Sequence, residues 1–432
     1  MKTLKLRVLL SAIALFVATL SMTLRAQDFV PFNQFLANTT AANSSNYVGQ
    51  PGYAVQDAPT FQQMQQYILT LYQGVQVSQS FSLDGQYYDC VPIQQQPSYV
   101  QLGLNGIAAA PPAIGPVPQA DVFSPQLGPQ DQYDQYDNST SCAQGNIPMR
   151  RITIDEVSTF ATLQDFFSKE PDGNDEAPSD ASQPPHKYAY TNENVGNLGG
   201  SSVLNVWSPY VNTSLGQVFS LSQQWYVGGT GNSLQTVEGG WQNYPVKYKD
   251  ENSRLFIFWT ADKYRRFKCY NLDCPAFVQV DHSWILGGKF SNYSVSGGTQ
   301  YYFTMTWYFY QGNWWLGLGN DQGRTWVGYY PGLIFRGGQL SRYATRISYG
   351  GETVGYGNYS PMGSGAWANR GYSYAAYQRQ VFYVDATNTV HWANLTAIQP
   401  SPGCYTLNGP LFQNNNTWGV NFYFGGPGGS PC

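Results

Sequence analysis

The chain has 432 residues, enough for two or three domains, yet only 11% of them are charged, against about 25% in an ordinary soluble domain. Aromatic residues make up 16%, glycine fills 45 positions and the net charge is −4. That balance speaks against a nucleic-acid binder and a membrane-embedded chain, and points to an extracellular all-β protein.

The first 26 residues read as a secretory signal. Lys2, Lys5 and Arg7 precede a mostly apolar run from Val8 to Leu20, and Ala26 in "LRAQD" is a fitting cleavage position. Such a run is too short to span a bilayer comfortably. Next, "TFQQMQQYILTLYQGV" places apolar residues at helical spacing from Phe61 to Leu71. A Pro/Gln/Gly-rich stretch, roughly Gln94 to Tyr136, reads as loop. "TIDEVSTFATLQDFFSK" predicts a second helix, with Thr153 and Glu156 in capping-box spacing and an apolar face including Val157, Phe160, Phe166 and Phe167. The acidic, Pro-rich segment from Pro171 to Pro185 reads as an exposed, cleavable linker. Beyond it come aromatic and β-branched runs such as "RLFIFWTAD", "QYYFTMTWYFYQ", "NWWLGLG" and "QVFYVDA". They predict an antiparallel β-sandwich.

Charge divides the chain at the linker. Residues before His186 carry 16 acidic and 7 basic side chains, net −9; those from His186 onward carry 10 and 15, net +5. The two halves should attract, less so as carboxylates protonate. Six cysteines fit an oxidising compartment, and their positions pair them as Cys90–Cys142, Cys269–Cys274 and Cys404–Cys432. "CYNLDC" has a metal-like look, but with no second cysteine pair and three histidines in all, a small disulfide loop is the better reading. No metal and no cofactor is expected.

Chemistry rests with carboxylates. No G-x-S-x-G, H-E-x-x-H or G-x-G-x-x-G context occurs. The C-terminal half holds four glutamates, of which Glu193 and Glu251 sit in polar turns. Glu238 in "TVEGGWQ" and Glu352 in "YGGETV" instead follow strand-like runs and adjoin glycine pairs, which let a backbone or ligand come close. Brought together, two such carboxylates would share a proton and supply an acid and a base. Spacing alone leaves open a glycosidase with two carboxylates, or an aromatic carbohydrate-binding module.

The stretches "NVWSPYV", "FSLSQQWYVGG", "TVEGGWQNYP", "CYNLDCPAFVQ", "VGYYP", "YGGETV", "GCYTLNG" and "WGVNFYFGGPG" resemble the neprosin family of secreted glutamic prolyl endopeptidases. "YYDCVPIQQQPSY" and "CAQGNIPMRR" resemble that family's activation region. The resemblance implies a β-sandwich catalytic domain over 186–432, a small, partly helical pro-region over 27–170, and catalytic Glu238 and Glu352. It also implies an acid-pH zymogen that cleaves after proline, with proline-containing polypeptides as substrates and the pro-region as inhibitor. Trp241 and Tyr349 are candidates for an aromatic proline slot, and Gln223, Gln242 and Tyr349 for oxyanion donors. Self-cleavage is expected near Pro184 and Pro185, and the chain is expected to be a monomer without nucleic-acid or membrane partners.

Overall fold

The computed structural model describes residues 29–114, 134–135, 138–169, 186–320, 323–413, 415 and 417–432. The signal segment over 1–26 and the linker with Pro178, Pro184 and Pro185 lie outside the described residues.

The N-terminal half opens with helices α1 (Phe32–Ala41) and α2 (Ala58–Leu71). Asp57 caps α2, and Phe61, Met64, Ile68 and Leu71 form its buried stripe, as the spacing predicts. Strands β1 (Gln79–Leu83), β2 (Gln86–Pro92) and β3 (Asn146–Arg150) make a small antiparallel sheet that the sequence reading did not foresee. Between β2 and β3, in the stretch read as loop, lies the short helix α3 (Pro97–Gln101). The expected second helix is broken into α4 (Ile154–Val157) and α5 (Leu163–Phe167). Glu156 does not close a capping box, because both its oxygens accept hydrogen bonds from Arg150 at 2.7 Å. Thr162 and Asp165 form the box instead and start a new helix.

The C-terminal half supplies β4 (His186–Glu193), β5 (Gly199–Asn205), β6 (Gln217–Gly228), β7 (Gln235–Asn243), β8 (Arg254–Thr260), β9 (Lys268–Tyr270), β10 (Val278–Gln279), β11 (Tyr302–Tyr310), β12 (Asn313–Asn320), β13 (Gly323–Pro331), β14 (Arg346–Gly355), β15 (Ala376–Val384), β16 (Val390–Trp392), β17 (Thr396–Ile398), β18 (Thr406–Gln413) and β19 (Gly419–Gly425). They form two antiparallel sheets. One runs β17-β4-β14-β6-β7-β8-β9; the other runs β10-β13-β12-β11-β5-β15-β19-β18, with β16 beside β15. A large apolar core fills the space between them, including Trp241, Trp307, Trp314 and Phe422. The expected β-sandwich is present, and so are all three expected disulfides.

β8 shows why the strands lack clean alternation. Leu255, Ile257 and Trp259 enter the core between the sheets, whereas Phe256 and Phe258 enter a second core on the opposite face. With both faces covered, a strand reads as a continuous apolar run. The second core is shared with the N-terminal half, whose Phe61, Ile68, Phe160 and Phe166 pack against Leu221, Trp225, Tyr244 and Phe258. The N-terminal half is thus a third layer over the seven-stranded sheet. No helix among the described residues is long and apolar enough to cross a membrane.

Candidate active site

β6 lies between β7 and β14, and its register fixes the site. Trp225 pairs with Glu238, Gln223 with both Gly240 and Gly350, and Leu221 with Glu352. Alternation puts these residues on one face, the one covered by the N-terminal half. Glu238 and Glu352 therefore flank Gln223, and both are buried, at 0% and 2% exposure.

Two isolated carboxylates could not stay ionised in such a place without several kcal/mol of penalty each. Lys169 is their counterion. It follows α5, is itself buried, and its Nζ donates to Glu238 Oε2, to Gln223 Oε1 at 2.9 Å and to Glu352 Oε2 at 3.4 Å. Its ammonium also sits 5.4 Å from the ring centre of Phe258, 5.7 Å from Phe256 and 5.9 Å from Trp225. Gln223 Nε2 donates to Glu352 Oε2 at 3.0 Å, and His186 Nδ1 lies 2.6 Å from Glu352 Oε1. Glu238 Oε1 accepts from Thr236 Oγ1 at 2.6 Å and Tyr264 OH at 2.8 Å. Burial opposes ionisation of Glu352, but Lys169 and His186 outweigh it and hold its pKa below the ordinary carboxylate value. Burial, reinforced by the Glu238 charge, pushes the Tyr264 hydroxyl well above its ordinary range, so it stays a donor.

Tyr264 reaches Glu238 through an unusual turn. Lys263 and Tyr264 both adopt left-handed backbone, with φ of 58° and 57°. Such residues cost about 1–2 kcal/mol each. The turn is held by Lys263 N donating to Leu234 O and Tyr264 N donating to Thr260 Oγ1, both at 2.9 Å. The ring stacks on Phe258 at 6.0 Å. Backbone strain maintained beside a buried carboxylate is the kind of feature that gathers at functional sites.

Of the proposed binding residues, Gln223 lies between the two glutamates. Gln242 shares the face but donates to Tyr270 OH at 3.1 Å, away from Lys169. Trp241 and Tyr349 are turned to the other face. Trp241 is fully buried between the sheets, with Nε1 donating to Asn205 O at 2.8 Å, and Tyr349 lies in the same core beside Tyr226. Adjacency to a glutamate misled the sequence reading, because neighbours on a strand point to opposite faces. Beside Tyr264, the aromatics that do border the site include Trp225, Phe256 and Phe258.

The glycine pairs also serve another purpose than expected. A Cβ on Gly240 would stand 1.9 Å from Ser222 O, and one on Gly350 2.5 Å from Ala189 O. On the opposite face, Cβ atoms on Gly239 and Gly351 would press on Met305 Sδ at 2.9 Å and Met362 Sδ at 2.5 Å. What comes close to these glycines is the protein's own backbone and core.

Net charge mispredicted how the halves meet. Lys169, from the acidic half, reaches both glutamates, and away from the site Arg150, also from that half, lies 3.8 Å from Asp273. Lys289 with Asp84, at 3.2 Å, runs the expected way. Burial concentrates a few charges where a whole-half sum does not see them.

Residues 216–427 match the family model described as Neprosin. That stretch is a neprosin domain. Both glutamates fall inside the neprosin match, whereas Lys169 and His186 fall outside it. Among solved structures, this chain is similar to a scytalido-glutamic peptidase bound to a peptide-based transition-state analogue, with 11% identity and a TM-score of 0.30 over 56% of this chain and 98% of that one. It is also similar to SCP-B, a member of the eqolisin family of peptidases in complex with the tripeptide Ala-Ile-His, with 10% identity and a TM-score of 0.28 over 56% of this chain and 96% of that one. Likeness of that degree is too slight to carry a conclusion about this chain.

Proposed function

We propose that this chain is a glutamic peptidase in a latent form, with Glu238 and Glu352 as its acid–base pair. The neprosin domain supports the glutamic type. The observation that carries the reading is the meeting of two buried glutamates, from strands on either side of β6, at one amide and one ammonium.

In the working enzyme, one glutamate is ionised and takes a proton from a water that attacks the scissile carbonyl. The other is protonated, polarises that carbonyl and then passes its proton to the leaving nitrogen. Gln223, whose amide lies between them, is placed to donate to the tetrahedral oxyanion. Tyr264 and Thr236 hold Glu238, and His186 holds Glu352. Two carboxylates sharing one proton favour acid pH, since both forms must coexist.

Latency follows from Lys169. While its ammonium pairs with both glutamates, neither can hold the shared proton, and the N-terminal half covers the sheet face. Protonating the carboxylates removes the ion pairs and frees the pro-region. A cut after Pro184 or Pro185 in the linker would then detach it, leaving His186, already against Glu352, at or next to the new terminus. Cleavage on the carboxyl side of proline is supported by the family resemblance, with the slot bordered by Trp225, Phe256 and Phe258 rather than Trp241 and Tyr349. Three disulfides fit an extracellular compartment, reached through the signal segment over 1–26.

The test is hydrolysis of a proline-containing peptide at acid pH by the full chain, by Glu238→Gln and by Glu352→Gln. Loss of activity in both variants is expected. Unchanged activity in either would remove this mechanism, and sugar release without peptide cleavage would replace the reaction.

A further inference from the structure

A second apolar surface lies on the far side of the molecule, on the outer face of the nine-stranded sheet. Register brings Tyr308 opposite Trp315 and Trp315 opposite Tyr329, and places Trp326 and Arg324 on the same face beyond a bulge. The rings form a ladder. Centroids are 4.7 Å apart for Tyr329 and Trp315, 6.3 Å for Trp315 and Trp326, and 6.4 Å for Trp326 and Tyr308. Gly317 makes room for it, since a Cβ there would stand 2.3 Å from Arg324 Cδ and 2.9 Å from the Trp326 ring.

This face is covered by a strap from the N-terminal half, "IAAAPPAI", residues 107–114, which has no helix, strand or turn. The strap is tied at both ends by groups of the ladder: Ala108 N donates to Tyr329 OH at 3.2 Å, and Arg324 Nη1 donates to Ile114 O at 2.9 Å. Pro111 is buried in between. Trp315 Nε1 is buried as well and makes no hydrogen bond among the described residues. Tyrosines and tryptophans crossed by an extended proline-containing segment match the way proline-rich peptides are bound elsewhere. The rings fit proline, while Tyr329 OH accepts a backbone N–H and Arg324 donates to a backbone carbonyl.

We infer that the Tyr308–Trp326–Trp315–Tyr329 face is a peptide-docking surface for extended, proline-containing polypeptide, occupied in this chain by its own residues 107–114. The inference rests on the reading that the N-terminal half leaves the enzyme. On release, the strap leaves with it, and the bared ladder holds a proline-rich substrate at a distance from the two glutamates. Substrates with one proline would not gain from it; long proline-rich chains would.

The test separates docking from chemistry by using the full chain with both Glu238→Gln and Glu352→Gln. Residues 107–114 are replaced by glycine and serine at equal length, and a fluorescein-labelled peptide with the sequence of residues 106–114 is titrated by anisotropy. Saturable binding is expected, at least tenfold weaker when the strap is intact, when Trp326→Ala is added, or when both prolines of the peptide are changed to glycine. Absence of binding to a folded strap-replaced chain overturns the inference, as does equal binding of the proline-free peptide. Should the strap-replaced chain fail to fold, amide exchange is read in the intact chain: Trp326→Ala should speed exchange over 107–114 by tenfold or more, and unchanged exchange overturns the inference. Neither readout depends on catalysis, so its failure leaves the peptidase reading standing.

Discussion

Lys169 and Glu238, 69 residues apart in sequence, form an ion pair buried beneath the N-terminal half. The same ammonium reaches Glu352, so a single side chain spans both members of the proposed pair.

Removing that ammonium should destabilise the latent form. Deleting one partner of a buried ion pair typically costs about 3–5 kcal/mol. Lys169→Met keeps the aliphatic packing against Phe256 and Phe258 and removes only the charge. Its melting temperature at neutral pH is expected to fall, and cleavage of a proline-containing peptide to begin at higher pH. An onset identical to the unaltered chain would show that Lys169 does not govern latency.

Stability should fall in acid for a traceable reason. The pKa of Glu352 is held below its ordinary value of 4.5, so its ion pairs stabilise the fold above that pH. That contribution is lost as pH falls through the depressed folded value. Melting temperatures measured between about pH 7 and pH 3 should drop at the acid end. Glu352→Gln, which cannot titrate, is expected to flatten that limb, and a limb of undiminished depth would assign it to other groups.

Tyr264→Phe removes one hydroxyl from Glu238 Oε1. A hydrogen bond to a charged group contributes about 1.5–3 kcal/mol. If it is needed in the transition state, kcat should fall roughly ten- to a hundredfold with KM little changed. A change confined to KM would place Tyr264 in binding instead.

The glycines give a graded stability series. Gly240→Ala sets a Cβ against the Ser222 carbonyl, which is backbone and cannot move aside. Gly239→Ala meets the flexible Met305 side chain. Overpacking costs about 1–3 kcal/mol where neighbours can adjust. Gly240→Ala should therefore lower the melting temperature more than Gly239→Ala, and the reverse order would contradict the packing described here.

The sandwich could be read from the sequence because aromatic and β-branched runs between turn residues leave few alternatives to strands. The two glutamates could be singled out because charge is so scarce around them. Their chemical setting could not. Lys169 stands next to the linker in "FFSKEP" and His186 directly after it in "PPHKY", positions that look solvated in one dimension. A lone cation after an apolar run was the only available signal for Lys169. The strap over 107–114 read as loop for the same reason, since its partners lie more than 200 residues away.

By itself, then, the sequence determined that the aromatic runs of the C-terminal half become strands, which cysteines pair and which two carboxylates are candidates. These are local properties, set by side-chain chemistry and short spacing. Tertiary structure alone decided which face of the seven-stranded sheet carries the site, and so dismissed Trp241 and Tyr349 in favour of Trp225, Phe256 and Phe258. Strand register does this: moving one residue along a strand reverses the face, and only pairing with neighbours on both sides says which face the glutamates share.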